Sequence, residues 1–254
     1  MKISIITPAL NSEKVIKDCV ESVREQSYSN IEHILVDGGS VDGTVAEARK
    51  ISTDLRIISE RDNGIYDALN KGIKMASGDI IGILHSDDFY ASKDIIESVI
   101  ELFQNNDINS CYGDLCYIAK SNPEKIIRYW KSGDFNIKNF KKGWMPPHPT
   151  FFVRKEVYDK YGLFDLSYKI SADYELMTRF LYKHSISVGY IERVMVNMRV
   201  GGKSNKNIYK ILTKMAEDYK IIKHYKLGGF STLLAKNFQK LPQFFHSPKP
   251  PNQK

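Results

Sequence analysis

Apolar residues follow two alternating spacings along the first ninety residues, and these spacings predict alternating strands and helices. Short apolar runs predict strands at Lys2–Ile6, Ile31–Val36, Leu55–Ser59 and Asp79–Leu84. Between them, apolar residues at helical spacing predict helices at Val15–Val23, Thr44–Ser52 and Ile65–Ala76. Repeated units of this length predict an α/β fold with a mostly parallel central sheet flanked by helices.

The pattern changes after Asp88, where strands and helices no longer alternate. It predicts helices at Lys93–Asn105 and Ala172–His184. It predicts strands at Cys111–Ile118, Lys125–Trp130, Phe151–Arg154, Ser187–Ile191 and Val194–Val200, the first two of them as a hairpin. We expect residues 91–202 to form an α+β half that completes one side of a cleft begun by residues 1–90.

Residues 203–254 have the pattern of a basic amphipathic helical tail. One helical stripe comprises Ile208, Ile211, Leu212, Met215, Tyr219, Ile222 and Tyr225, and a second comprises Phe230, Leu233, Leu234, Phe238 and Leu241. The surrounding lysines are Lys214, Lys223, Lys226, Lys236 and Lys240. Such helices either lie on anionic membrane surfaces or pack on a domain with a solvated charged face, and both alternatives stay open.

Charge and composition narrow the classes of function. The chain has a net charge of +7, but the tail carries eleven lysines against only Glu217 and Asp218. The first 202 residues therefore have no basic excess, which argues against nucleic-acid binding. The three cysteines indicate buried thiols in a reducing compartment, and no apolar run approaches the ~20 residues of a membrane span. We expect a cytoplasmic protein that is peripheral on the inner face of an anionic cell membrane.

Polar segments follow each of the first four predicted strands. These segments are Thr7–Asn11, Asp37–Thr44, Glu60–Gly64 and His85–Asp88. Because ligands of parallel sheets bind outside the carboxyl ends of the strands, four such loops predict a binding site at that edge. Gly38 and Gly39 allow close backbone approach to a ligand, and a carboxylate at Asp37 can accept hydrogen bonds from a base or a ribose. The loop lacks the G-x-G-x-x-G pattern, which disfavours a dinucleotide dehydrogenase.

Asp87 and Asp88 form the sharpest chemical signal in the sequence. Adjacent carboxylates at a strand end repel each other, so a cation is expected nearby. Hard divalent cations bind carboxylate oxygens together with substrate phosphates, and a metal there would neutralise a leaving diphosphate. The pattern therefore predicts a divalent cation at this edge, shared with the diphosphate of a substrate.

These motifs resemble family 2 glycosyltransferases of the GT-A fold. The resemblance rests on residues 7–11, 36–44, 59–72 and 84–88, which recur in order with fitting gaps, and it covers about residues 1–202. It is strongest to bacterial enzymes that build O-antigen, capsule or exopolysaccharide units. It implies a GT-A catalytic domain at residues 1–202, with a nucleotide-sugar half at 1–90, an acceptor half at 91–202 and a helical extension at 203–254.

The resemblance implies roles for residues by position. It implies nucleotide binding, usually of UDP, by Thr7, Pro8, Ala9, Asp37, Asp62, Lys71 and Asp87. It implies that Asp88 binds Mn²⁺ or Mg²⁺. The metal motif of the family is often Asp-x-Asp, whereas Ser86 makes it Ser-Asp-Asp here, which leaves one dependable metal ligand.

Transfer with inversion needs a base that deprotonates an acceptor hydroxyl. In the resembled family an acidic residue that opens a helix in the second half has this role. The matching residue is Asp173, with Glu175 as the second candidate, and the alternative is that Asp173 only stabilises the start of its helix. In the loop Gly143–Thr150, which precedes the strand Phe151–Arg154, Trp144 is a candidate for stacking on a sugar. His148 is a candidate contact of the acceptor, diphosphate or metal.

The resulting prediction is an inverting glycosyltransferase. We expect it to move a hexose from UDP-glucose, UDP-galactose or an N-acetyl form to a saccharide linked to undecaprenyl diphosphate. The alternatives are a sugar nucleotidyltransferase or a non-catalytic nucleotide-binding protein. A sugar nucleotidyltransferase would normally carry a Gly-rich basic loop after strand one, and Thr7-Pro8-Ala9 is not such a loop. The intact Asp87, Asp88 and Asp173 argue against a non-catalytic protein.

Overall fold

The computed structural model describes residues 1–200 and 208–238. In these ranges the strands are β1 Ile3–Ala9, β2 Ile31–Asp37, β3 Arg56–Ser59, β4 Ile80–Ile83, β5 Phe89–Tyr90, β6 Ser110–Ala119, β7 Asn122–Trp130, β8 Phe152–Arg154 and β9 Val188–Val200. The helices are α1 Ile16–Arg24, α2 Thr44–Ile51, α3 Ile65–Met75, α4 Ile95–Asn105, α5 Lys155–Tyr161, α6 Ala172–Met177, α7 Ile208–His224 and α8 Phe230–Phe238.

The strands form one mixed sheet in the order β3-β2-β1-β4-β8-β6-β9-β5, with β7 paired to β6. The strands β1 to β4 are parallel, as predicted, and β8 runs antiparallel to β4. The sheet therefore changes direction between β4 and β8, which places residues 1–90 and the following half side by side.

Both faces of the parallel region are covered, and the alternation along β1 shows this directly. Ile6 belongs to a core with α3 residues such as Leu69 and Ile73. Ile3 and Ile5 belong to a second core on the other face, with residues of α1 and α4. Because both faces are interior, the strands are continuous apolar runs, and their carboxyl ends are where polar residues reach the surface.

Two predicted elements differ from the structure. The strands predicted at Ser187–Ile191 and Val194–Val200 are one strand, β9, whose pairing with β6 jumps from Ile191↔Gly113 to Val194↔Asp114. Glu192 and Arg193 are therefore extra residues in a bulge, which is why the pattern suggested a break. The helix predicted at Ala172–His184 is α6 followed by a π-helical turn, Thr178–Lys183.

The C-terminal helices α7 and α8 pack on the main core. Ile221, Ile222, Tyr225, Leu227 and Leu233 are buried in the same cluster as Tyr174 and Phe180. Ile211, Leu212 and Tyr219, expected on the apolar stripe of α7, are exposed instead. Lys236, expected on a solvated face, is buried at 6% exposure, and Lys240 and Leu241 lie outside the described residues.

Cys19, Cys111 and Cys116 are free and buried, as the sequence indicated. None of the helices within residues 1–200 and 208–238 is long and apolar enough to cross a membrane.

Candidate functional site

The four polar loops after β1 to β4 lie together, joined by hydrogen bonds from one loop to the next. Asn11 donates its backbone N–H to Ser40 Oγ at 2.8 Å and accepts one from Val41 at 3.1 Å. Ser12 contacts the hydroxyl of Ser86 at 2.9 Å. Asn11 has a positive φ of 51°, a conformation that Asn tolerates better than most residues. The loops therefore form one connected edge, as their positions predicted.

Asp37 is buried at this edge, and its carboxylate already has donors from two loops. Ser59 donates to it at 2.6 Å, and the Ser40 backbone N–H donates at 3.1 Å. Gly39 has a φ of +82°, and a Cβ on Gly38 would lie 2.5 Å from Asp62 Oδ2. Both glycines are therefore needed to hold this loop against its neighbour.

The end of β1 is buried at this edge. The Thr7 hydroxyl lies 2.9 Å from His33 Nε2, because the strand has two interior faces and the Thr7 side chain points into one of them. Pro8 and Ala9 are also buried. The nucleotide contact implied for Thr7, Pro8 and Ala9 stays a prediction, and at Thr7 it would involve the backbone.

Asp62 and Lys71 belong to the same edge but already have intramolecular partners. Asp62 accepts the backbone N–H of Gly64 at 2.9 Å, which shapes the loop before α3. Lys71 Nζ lies 2.8 Å from Glu60 and donates to the Arg61 carbonyl at 3.0 Å. The Glu60 carboxylate largely accounts for the raised pKa of Lys71, so this side chain is a cation at neutral pH.

Asp87 and Asp88 lie at the end of β4 beside Arg199 of β9. Asp88 is 1% exposed and accepts the Arg199 backbone N–H at 3.3 Å, while the Arg199 guanidinium donates to the Asp87 carbonyl at 2.9 Å. Burial, followed by the charge of Asp87, raises the pKa of Asp88 well above its usual range. The pair is therefore electrostatically strained, as the sequence suggested, and a cation would relieve that strain.

The residues at this position fit a divalent cation shared with a substrate. Among residues 1–200 and 208–238, no group of three or more His, Cys, Asp or Glu side chains is arranged to hold a metal. Asp88 Oδ2, however, is buried without a hydrogen-bond partner in the described part of the chain. Because Mg²⁺ is commonly bound by one or two carboxylates together with substrate phosphates, a single carboxylate ligand suits this chemistry.

Asp173 is the second residue of α6 and lines the same cavity as Asp87 and Asp88. The Tyr66 hydroxyl lies 3.2 Å from Asp173 Oδ1 and donates to the Ile170 carbonyl at 2.6 Å. Burial raises the pKa of Tyr66, and the charge of Asp173 adds to the effect, so the phenol stays protonated as a donor.

Two histidines join Asp173 to the loop that carries the aspartate pair. His148 Nδ1 lies 3.3 Å from Asp173 Oδ2, and its Nε2 lies 3.3 Å from Nε2 of His85. Burial, and then the neighbouring His148, lower the pKa of His85 to about 3, which keeps this ring neutral. A chain of contacts therefore connects residues that are far apart in sequence.

The cavity around these groups has a volume of about 820 Å³. Its polar residues are His85, Asp87, Asp88, His148, Asp173, Arg199, Lys169, Lys210 and Lys214. The remaining wall is mainly apolar, with Tyr66, Phe164 and Tyr209 among its aromatic residues. This size and lining suit a small polar ligand with an attached apolar group.

Two further candidates of the acceptor side lie outside the cavity lining and have intramolecular partners. Glu175 is buried in an ion pair with Arg179 at 2.9 Å and accepts a hydrogen bond from Tyr225. Trp144 packs edge-on against Tyr112 and Phe140, with ring centroids 6.1 and 6.3 Å away. The roles of Glu175 as second candidate base and of Trp144 as a stacking residue stay predictions.

The sequence analysis assigned no role to His85, Tyr66 and Arg199, which the structure places in the cavity. One signal was present for Arg199, because a charged residue inside an otherwise apolar strand is unusual. Tyr66 and His85 had no comparable signal, since aromatic residues in such segments are usually part of a core.

Comparisons with known proteins identify the family and the fold. Residues 4–162 match the model of the glycosyl transferase family 2. A Mycobacterium bovis protein named PGL/p-HBAD biosynthesis glycosyltransferase is 30% identical over 217 residues, which cover 83% of this chain and 82% of the relative.

The fold is similar to those of two solved glycosyltransferases. Staphylococcus aureus TarS 1–349 in complex with UDP-GlcNAc matches with a TM-score of 0.69 at 16% identity, over 94% of this chain and 73% of that one. The mannosyltransferase PcManGT from Pyrobaculum calidifontis, in complex with GDP-Man and Mn²⁺, matches with a TM-score of 0.67 at 17% identity, over 96% and 73%. The chain belongs to glycosyl transferase family 2 and is a glycosyltransferase of the GT-A fold.

Proposed function

We propose that this glycosyltransferase inverts the anomeric centre while it moves a hexose from a nucleotide-diphosphate sugar to a saccharide acceptor. The observation that carries the proposal is the chain of contacts from Asp173 through His148 to His85, in the loop of Asp87 and Asp88. It supports a reaction in which Asp173 is the base and the aspartate pair binds the diphosphate side, because all three carboxylates line one cavity.

In the proposed reaction, Asp173 accepts the proton of an acceptor hydroxyl. The hydroxyl oxygen forms a bond to the anomeric carbon, the bond from that carbon to the diphosphate oxygen breaks, and its electron pair leaves with the nucleotide. The Tyr66 hydroxyl orients the Asp173 carboxylate at 3.2 Å. His148, 3.3 Å from the other oxygen of Asp173, fixes it from a second side.

The leaving diphosphate is placed at Asp87 and Asp88. Asp88 would hold Mn²⁺ or Mg²⁺ through Oδ2, and the bound ion supplies Lewis-acid neutralisation of the diphosphate charge. Asp87, with Thr7, Pro8, Ala9, Asp37, Asp62 and Lys71 at the same sheet edge, is proposed to form the nucleotide side. For Thr7, Pro8 and Ala9 the proposal concerns the end of the strand, since the Thr7 hydroxyl faces the interior.

We propose a UDP-sugar as the donor, among UDP-glucose, UDP-galactose and their N-acetyl forms. The TarS complex contains UDP-GlcNAc, whereas the PcManGT complex contains GDP-Man, so the fold alone does not choose the base. The acceptor is proposed to be a saccharide linked to undecaprenyl diphosphate in surface polysaccharide synthesis. Lys169, Lys210 and Lys214 line the Asp173 side of the cavity, where they can bind an acceptor phosphate.

The helices α7 and α8 are proposed to contact an anionic membrane that carries this acceptor. Large apolar side chains are exposed on them: Tyr209, Ile211, Leu212, Phe230, Leu234 and Phe238. Lysines lie between these residues in the sequence, which is typical of helices that bind anionic surfaces.

A screen of nucleotide sugars tests the donor and the metal together. We expect one UDP-sugar to raise the thermal unfolding midpoint in the presence of Mn²⁺ and to have a smaller effect without it. With an α-linked donor, NMR of the product should show a β linkage, and retention of the α configuration would contradict inversion. If no UDP-, GDP- or TDP-sugar stabilises the protein, the donor assignment fails.

A further inference from the structure

We propose that Glu217, on the C-terminal helix α7, is a positioning residue for Asp173. The carboxylate of Glu217 accepts three successive backbone N–H groups from the segment directly before α6. The distances are 2.9 Å from Lys169, 3.0 Å from Ile170 and 2.9 Å from Ser171. Asp173 follows two residues later, so the carboxylate fixes the backbone from which the proposed base projects.

The same segment is held from its other side by Tyr66. Its hydroxyl donates to the Ile170 carbonyl at 2.6 Å and also lies 3.2 Å from Asp173 Oδ1. The Tyr66 ring is itself fixed by stacking on Phe164, with centroids 5.5 Å apart. Glu217 and Tyr66 thus hold opposite sides of one peptide, and releasing Glu217 would let Asp173 move relative to the Tyr66 hydroxyl.

The helix that carries Glu217 is anchored to residues on both sides of Asp173. The next residue, Asp218, lies 2.8 Å from the ammonium of Lys236, which lies 3.1 Å from the ring centroid of Tyr174. Tyr225, the residue directly after α7, donates to Glu175. The C-terminal helices therefore contact the residues immediately before and after the base rather than resting on a remote surface.

The charge pattern of this region supports a specific role for the carboxylate. Glu217 and Asp218 are the only acidic residues from Lys203 to Lys254, among eleven lysines. Both are turned toward α6 or its neighbours, whereas a helix that served only as a basic surface would not need them. Because a displacement of about 1 Å in a catalytic group can reduce turnover about a hundredfold, such a contact can control activity without touching substrate.

The inference rests on the proposed role of Asp173, and a double-substitution experiment tests it. UDP release from UDP-N-acetylglucosamine with Mn²⁺, with water as acceptor, would be compared for the wild type, Glu217→Gln, Asp173→Asn and the double variant. We expect Glu217→Gln to lower kcat tenfold to a hundredfold, with the donor Kd unchanged. In the Asp173→Asn background it should have no further effect.

A matched control is Glu192→Gln, an exposed glutamate that pairs with Lys131 at 2.6 Å. It should leave kcat unchanged. A loss of kcat that is the same with and without Asp173 would overturn the inference, because it would show that Glu217 only supports the fold. If Glu217→Gln does not fold, Glu217→Asp, which keeps the charge but is too short to reach all three amides, takes its place.

Hydrogen exchange gives a readout that does not depend on activity. In Glu217→Gln, amides of residues 169–177 should exchange at least tenfold faster, while those of β1 should not change. Unchanged exchange in residues 169–177 would overturn the inference. If the wild type releases no UDP from any nucleotide sugar, the proposed function fails, and the exchange result alone decides the role of Glu217.

Discussion

At the level of single residues, the buried carboxylates differ in how well they are satisfied. Asp114 is buried and accepts hydrogen bonds from Tyr129, Tyr190 and the Ser132 backbone. Asp88 is equally buried, but its Oδ2 has no partner in the described residues. A folded protein retains such an unpaired group at a cost in stability, which is consistent with a functional role.

Asp88→Asn tests this difference without activity. Because it removes a buried carboxyl group whose ionised form is destabilised by burial and by Asp87, we expect the unfolding midpoint without metal to rise by roughly 2–4 °C, about 1 kcal/mol for a chain of this size. The added stabilisation by Mn²⁺ with a nucleotide sugar should be lost. Asp114→Asn is the matched control and should lower the midpoint, since its carboxylate is fully hydrogen-bonded. A decrease in both variants would contradict the metal assignment.

A second residue-scale prediction concerns His33, which is buried beside Thr7. Burial lowers the pKa of His33 from 6.5 to about 3. The unfolded chain therefore binds a proton that the folded chain does not, and the free energy of unfolding falls as pH decreases from about 6.5 toward 3. His33→Gln should reduce this slope by up to about 1.4 kcal/mol per pH unit between pH 4.5 and 6.5.

Urea unfolding at several pH values measures the effect. Part of the slope should remain in the variant, because His85 has its pKa lowered in the same direction. An unaltered slope in His33→Gln would show that His33 is not the titrating group.

The sequence predicted which residues share the cavity better than it predicted where each side chain points. Asp87, Asp88, His148 and Asp173 lie on one cavity, as the strand ends and the acidic helix start suggested. The direction of the Thr7 side chain could not be predicted, because a strand with two buried faces gives no periodic signal for it. Glu175 follows Asp173 by two residues and therefore lies on another face of α6, where it pairs with Arg179.

At the level of elements, the close packing of α3 on the sheet depends on Gly72. A Cβ there would lie 2.4 Å from Ile6 Cγ2 and 3.2 Å from Val36 Cγ2. Gly72→Ala gains about 1 kcal/mol of helix propensity but forces a clash that typically costs 1–3 kcal/mol. The difference of these terms is a net loss of up to about 2 kcal/mol in the free energy of unfolding, and the 2.4 Å approach places Gly72→Ala near that upper value, measured by urea titration.

Gly229→Ala is the matched control, because a Cβ at that position would meet no atom within 4 Å. It should change the free energy of unfolding by less than about 0.5 kcal/mol. A stabilised Gly72→Ala protein would mean that α3 sits further from β1 and β2 than the structure shows.

The sequence predicted whether a segment is a strand or a helix more reliably than it predicted where a strand or helix is interrupted. The parallel strands and the β6–β7 hairpin follow from apolar periodicity and turn residues, which are local properties. The bulge in β9 and the π-helical turn after α6 depend on partners distant in sequence, β6 and α5 among them, so no local pattern could reveal them.

At the level of the whole molecule, α7 and α8 have a buried side that joins the core and an exposed apolar side. The buried side includes Ile221, Ile222 and Leu233, and the exposed side includes Phe230 and Phe238 at 60% and 59% exposure. Packing and membrane contact, which the sequence offered as alternatives, are therefore compatible. Deleting α7 and α8 would remove the core packing together with the exposed apolar side, so point substitutions on the exposed side are the better test of membrane contact.

Phe230→Ser combined with Phe238→Ser should weaken binding to vesicles that contain phosphatidylglycerol at least fivefold, with the thermal midpoint unchanged. The loss follows from the apolar area that these rings would bury, at about 25 cal/mol per Å². Val41→Ser, which changes an apolar residue of 93% exposure outside these helices, is the control. Binding is measured by vesicle sedimentation. Equal binding of the wild type, the Phe230→Ser/Phe238→Ser variant and Val41→Ser would contradict the membrane proposal.

The place of β9 in the sheet also sets an order of events during synthesis. β4, which ends just before Asp87, needs β8 as its neighbour, and the Arg199 backbone N–H of β9 reaches back to Asp88. About 110 residues must therefore leave the ribosome after the aspartate pair before the pair acquires its final surroundings. A nascent chain that has folded only its first four strands lacks Asp173, the proposed base, and Glu217, which we propose positions it. We therefore expect no transfer before α7 has been made.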